Sequence, residues 1–244
     1  MNAAMDTSTI RPAWGGQDAN VRAVWVAAGE SPESIAARTD ALLRELTSPF
    51  DISEWRLTSG QVWEGSQDAL ADLVRSNPVR ELVGGSEEIG DAREGEGYSF
   101  VVSGAGPRVS LRVWIAAGHP AVGSRLPRRR LNVELRERYV GAITGADGDA
   151  VCDAVARAWT PAMFVLSDNP VRQLARRGNW KISVGYRTWI SCEVGAVNQV
   201  ADGLTATELA GGILISAPDD WSAARVVAAM METLAANELD EVPH

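Results

Sequence analysis

Apolar and polar positions alternate most clearly in the middle of the chain. Val109, Leu111, Val113 and Ile115 interleave with Arg108, Ser110, Arg112 and Trp114. Leu131, Val133 and Leu135 interleave with Arg130, Asn132, Glu134 and Arg136. A period of two places one set on a buried face and the other in water, the pattern of an antiparallel sheet covered on one side. Segments 98–102 and 108–115 flank Gly104-Ala105-Gly106-Pro107, which predicts a hairpin. Residues 21–27 are nearly all apolar and rich in β-formers, which predicts an interior strand. Residues 163–166 and 212–216 read as short strands, and 181–194 as extended chain.

Helical spacing takes over elsewhere. Ser31-Pro32 supplies a cap and a first-turn proline. Ile35, Thr39, Leu42, Leu43 and Leu46 then predict a helix over 32–46, which Pro49 should end. Leu70, Leu73 and Val74 share a face of a second helix at 66–75. Asp149 is expected to cap a helix running to Trp159, and Asn169-Pro170 to open a short helix that Gly178 closes. Asp220 is expected to cap the last helix, with Val226, Val227, Met230, Met231 and Leu234 in one stripe. Residues 50–63, with Trp55 and Trp63, read as irregular or weakly extended, and the Gly- and Glu-rich residues 84–97 as a surface loop. Strands come first in a meander, and helices follow without strict βαβ alternation. The fold class is therefore α+β, a mainly antiparallel sheet with helices packed on one face, in a single domain over 21–240. Residues 1–20, polar and rich in Gly and Ala, read as a flexible N-terminal tail.

Composition narrows the function. A chain of 244 residues with 45% hydrophobic content and nine tryptophans can build a sizeable core. No apolar run reaches the roughly 18–20 residues of a membrane helix, and no basic segment leads into an apolar one at the start, so a cytoplasmic location is expected. A net charge of −9 disfavours direct nucleic-acid binding and suits either solubility or a basic protein partner. Cys152 and Cys192 read as two buried free thiols.

Catalytic chemistry finds little support. Histidine occurs only at 119 and 244, and the Gly-His-Pro turn around His119 carries no nucleophile signature. Asp147, Asp149 and Asp153 lack the glycine and distal glutamate of a calcium loop, so no metal or cofactor site is expected. Paired carboxylates leave a small hydrolase or glycosidase as the alternative, with nothing to single out two of the thirty-two acids.

Three features bear on partner binding. Glu81, Glu87, Glu88, Asp91, Glu94 and Glu96 lie in or beside the 84–97 loop, as a solvated loop or an acidic contact surface for a basic protein. Arg125, Arg128, Arg129, Arg130, Arg136 and Arg138, interleaved with Glu134 and Glu137, read mostly as a solvated strand face, with anion or nucleic-acid binding as the alternative. Trp221, at the expected start of the last helix beside Asp219 and Asp220, is a candidate exposed anchor.

Trp159-Thr160-Pro161, Gly178-Asn179-Trp180 and Gly211-Gly212 occur in that order before the final helix. An apolar strand, the 32–46 helix, a Trp55-containing segment and Leu131-Asn132-Val133-Glu134-Leu135 precede them. From about residue 21 to 238 this order resembles the Imm52 family of bacterial immunity proteins of polymorphic-toxin systems. The Glu-rich 84–97 loop and the Arg-rich 125–130 stretch depart from it. The resemblance implies a non-enzymatic protein, a monomer or weak dimer, that binds and neutralises a cognate toxin by stoichiometric complex formation. It further implies a basic nuclease domain of restriction-endonuclease type as the toxin.

Overall fold

The computed structural model describes residues 11–16, 19–26, 29–82, 89–93, 95–123 and 127–244. In chain order the elements are β1 (Ala19–Val24), α1 (Pro32–Phe50), β2 (Trp55–Leu57), α2 (Gln67–Arg75), β3 (Arg80–Leu82) and β4 (Ile89–Ala92). There follow β5 (Tyr98–Ala105), β6 (Val109–Ala117), β7 (Arg130–Glu137), α3 (Gly145–Trp159), β8 (Met163–Ser167) and α4 (Asn169–Ala175). The chain ends with β9 (Arg187–Ser191), β10 (Thr205–Leu209), β11 (Gly212–Ser216) and α5 (Ala223–Ala236). One antiparallel sheet runs in the order β10-β11-β9-β8-β1-β7-β6-β5-β2, and β3 pairs with β4 apart from it.

The alternation is read out strand by strand. Val102 stands opposite Val113, Val113 opposite Val133, and Val133 opposite Val21, so four valines make one row across β5, β6, β7 and β1. All four are fully buried. The reverse side of the same positions along the ladder carries Val101, Trp114, Asn132 and Arg22. β1 lies between β7 and β8, as its apolar run predicts. The helices α1, α2 and α3 pack together and touch β6, β5 and β1 with β8, while α4 packs on α5. One continuous apolar core reaches from Trp14 to Val242 in a single domain. Around β8 and β9 every strand residue is buried on both faces. There the chain at 183–185 covers the reverse side, with Ser183 N–H donating to Met163 Sδ at 3.4 Å.

Local signals decide the helix starts. Ser31 Oγ accepts the Ser34 N–H, and Ser66 Oγ the Ala69 N–H. α1 runs past Pro49 to Phe50, which is buried, and ends at Asp51 in the left-handed region (φ 51°). So late in the helix, the missing proline N–H costs one bond in the final turn. Two cap expectations are corrected. Thr144, not Asp149, caps α3, in a capping box with Asp147, and Ser222, not Asp220, caps α5. Asp149 instead accepts from Arg187 at 2.7 Å. α4 ends at Arg176 in the left-handed region (φ 33°), two residues before Gly178.

The domain is longer than 21–240. Trp14 is buried, and its Nε1–H donates to Asp219 Oδ1 at 3.2 Å. Residues 11–16 and 19–20 therefore belong to the fold rather than to a tail, and residues 1–10 lie outside the described residues. At the other end Val242 N–H donates to Trp180 O at 2.8 Å, and the His244 ring stacks on Trp180 with centroids 4.1 Å apart. Both cysteines are free, Cys152 buried as expected but Cys192 exposed just beyond the end of β9. Among the described residues no helix is long and apolar enough to cross a membrane.

Candidate functional site

Three helices cover one face of the sheet, which leaves the polar face of β5, β6 and β7 open. On it Trp114 Nε1–H donates to Ser99 Oγ at 3.0 Å, and the Arg130 guanidinium lies 4.4 Å from the Trp114 ring centroid. Beside this pair is a cleft of about 440 Å3, walled by Glu96, Trp114, His119, Arg128 and Arg130. Gly118, at φ 81°, turns the chain out of β6, and its N–H donates to Glu30 Oε2 at 3.1 Å. That turn brings His119 to the cleft. Its Nδ1 lies 2.8 Å from the Ala121 N and 3.0 Å from the Ala121 O, and its Nε2 faces Glu96 Oε2 at 3.6 Å. Glu96 Oε2 also accepts from Arg128 Nη1 at 2.7 Å.

The Glu96 charge is satisfied within the cleft. The carboxylate is held by an arginine and faced by a histidine, and the Ser99 hydroxyl accepts from an indole. No nucleophile and base hydrogen-bond to each other in the described lining. Glu96 is the one acid there, whereas glycoside hydrolysis needs two across the cleft.

The expected partner-binding residues are dispersed. Glu87, Glu88 and Glu94 lie outside the described residues, as does Arg125. Asp91 is exposed on β4, while Glu96 is half-buried and paired in the cleft. Trp221 is only 7% exposed, which corrects its reading as an exposed anchor. It precedes the α5 cap and packs so closely on Gly203 that a Cβ there would stand 2.7 Å from the ring. Arg225 covers it at 3.8 Å.

The arginine cluster also divides. Arg136 pairs with Glu134 at 3.1 Å, and Arg138 donates to Gly106 O at 3.1 Å. Arg129, expected on a solvated face, is fully buried against Glu30.

One feature escaped the sequence reading. Residues 192–244 contain nine acidic residues and one basic residue, Arg225, and so carry −8 of the chain's net −9. Glu193, Asp202, Glu208, Glu232, Glu238 and Glu241 are all exposed there, around the edge strand β10 and α5. Counting charge by segment instead of over the whole chain would have found it.

Of the residues that carry the family resemblance, Trp159, Thr160 and Gly212 are structural. Trp159 is buried against Trp25 with centroids 4.8 Å apart, and Thr160 ends α3 in the left-handed region. A Cβ on Gly212 would stand 2.4 Å from Ile190 O and 2.5 Å from the Trp189 ring. No protein-family model matches the chain, and no curated protein matches it. Among solved structures it is similar to the Pseudomonas aeruginosa T6SS protein PA0821. The two share 12% identity with a TM-score of 0.48, over 91% of this chain and 75% of that one, a likeness too distant to bear on function.

Proposed function

We propose that this chain is an immunity protein that binds a cognate bacterial toxin and neutralises it by stoichiometric complex formation, without turnover. The observation that carries this reading is the Imm52-like order of Trp159-Thr160-Pro161, Gly178-Asn179-Trp180 and Gly211-Gly212 before the last helix. Charge supports it. A nuclease toxin presents a basic surface to its substrate, and a protein of net −9 is steered toward such a surface. The negative charge is concentrated on the exposed acids of 192–244, and Asp91 is exposed separately on β4. Docked there, the chain would plug the toxin's active site or cover its substrate channel, acting in the cytoplasm as a monomer or weak dimer. The self-satisfied Glu96–Arg128 pair in the main cleft fits binding better than the alternative, a carboxylate-dependent hydrolase.

Co-expression with the toxin encoded beside it tests this. Survival of the host and co-purification in a one-to-one complex are expected. A toxin that kills equally with and without the protein, and does not co-purify with it, would refute the reading.

A further inference from the structure

The main cleft adjoins a smaller hollow of about 110 Å3, with Pro127 and Arg130 shared between them. Three guanidinium groups line this hollow, those of Arg22, Arg130 and Arg177, together with Asn179 and Ser183. Its described lining contains no carboxylate. In a chain with nine more acids than bases, that is a local inversion of sign.

The arginines are brought together by strand register. Arg22 stands opposite Asn132, and Arg130 is two residues along β7, so the two are diagonal neighbours on the open face of the ladder. Such positions are roughly 7 Å apart, close enough for two guanidiniums to grip one small anion. Neighbouring arginines on this face are neutralised, Arg136 at 3.1 Å and Arg112 at 3.8 Å from Glu134. Arg22 has no hydrogen bond or ion pair among the described residues, and Arg130 has only the Trp114 ring. Burial and repulsion from Arg172 lower the pKa of Arg22, and burial and repulsion from Arg22 lower that of Arg130. Burial is the larger cause of both shifts, and the like-charged neighbour adds to it. Arg177 is held from behind, its Nη2 donating to Asp240 O at 3.0 Å and to Oδ1 at 2.7 Å. Its Nε–H is buried with no partner.

We propose that this hollow binds a phosphate-class oxyanion, gripped by Arg22 and Arg130, with the Arg177 Nε–H and the Ser183 hydroxyl as further donors. The donors come from β1, β7 and the chain after α4, so they surround the ligand instead of lying in one plane. A tetrahedral oxyanion matches that better than a planar carboxylate. The site is independent of toxin binding, and its test needs no toxin.

Titration calorimetry at low ionic strength, with inorganic phosphate and glycerol 3-phosphate as probes and acetate as control, reads the affinity. Phosphate is expected to saturate the protein at roughly millimolar concentration or below, with acetate at least tenfold weaker. Equal or tighter binding of the ester would mean that the adjoining cleft accepts the carried group. Binding of phosphate alone would mark a site for the free ion. Arg22→Ala and Arg130→Ala should each weaken phosphate at least tenfold, while Arg112→Ala, on the same face outside the hollow, should leave it unchanged. Both target residues keep solvent-exposed surface even though their guanidiniums are partly desolvated, so an unchanged circular dichroism spectrum and a nearly unchanged urea midpoint are expected. Arg22→Gln provides a second, milder variant with the same expected loss. Absence of saturation by either probe up to about 10 mM would overturn the proposal. So would equal affinity in Arg22→Ala and Arg130→Ala, or acetate binding as tightly as phosphate.

Discussion

Arg129 and Glu30, 99 residues apart in the chain, meet at 2.9 Å with their side chains 0% and 6% exposed. The Glu30 carboxylate also accepts the Gly118 N–H and the Trp25 indole N–H. The Arg129 guanidinium reaches back to His119 O. One buried pair thus ties the start of α1 to the turn that carries His119 and Arg128 into the cleft. Breaking it leaves a buried charge without its counter-ion. Arg129→Met should therefore cost about 3–5 kcal/mol in urea unfolding. Adding Glu30→Gln to Arg129→Met should recover part of that loss, because the orphaned charge is removed. A double variant as unstable as the sum of the singles would show that the two residues act separately.

The proposed toxin contact has two acidic candidates, the 192–244 segment and the acids at 87–94. Neutralising Asp202, Glu208, Glu238 and Glu241 together should slow association with the cognate toxin roughly tenfold at low salt. The unfolding midpoint should hardly move, since all four side chains are exposed. Neutralising Glu87, Glu88, Asp91 and Glu94 gives the matching measurement for the 84–97 segment, expected as a loop but containing β4. Stopped-flow on-rates at several salt concentrations decide between them, because steering fades as the Debye length shortens. An on-rate that responds only to the 87–94 variant would move the docking surface to the 84–97 segment.

The two thiols should behave differently. Burial pushes the Cys152 thiol far up, whereas Cys192 is exposed. Since the thiolate is the reactive form, a thiol reagent at pH 8 should label one cysteine in the folded protein and two in urea. Rapid labelling of both in the native state would contradict the packing of Cys152 inside α3.

Tyr186 should give the protein an alkaline edge. Burial, the Asp168 charge and the Tyr186–Asp168 hydrogen bond push its hydroxyl up from 10.0 to about 12. The folded state thus favours the neutral phenol. Its contribution is fully present below about pH 10, and it is lost as the pH rises through the folded value. Stability in urea should fall between pH 10 and 12, and Tyr186→Phe should flatten that part of the profile. An identical slope in the variant would assign the loss to other groups.

Much of this was legible in the sequence where burial is periodic. The valine row across β5, β6, β7 and β1 follows from alternation, and the α1 stripe from Ile35 to Leu46 follows from helical spacing. β10 was not legible, because its first four residues, Thr205 to Glu208, are exposed at the sheet edge and carry no apolar rhythm. The caps of α3 and α5 were misread because Asp149 and Asp220 are good cap residues in themselves. Asp149 is drawn instead to the buried Arg187, which arrives from β9. Trp221 looked like an anchor beside two acids, and only its packing on Gly203 shows that it is covered.

Arg128, Arg129 and Arg130 show where the division falls. By itself the sequence determined an α+β sheet with one buried face, a helical layer and a strongly acidic balance, because periodicity and composition are local properties. Tertiary structure alone decided that Arg128 holds Glu96, that Arg129 is buried on Glu30, and that Arg130 lies over Trp114 beside Arg22. Three adjacent residues with the same charge have three different fates, because a charge takes its role from partners that folding brings in from distant parts of the chain.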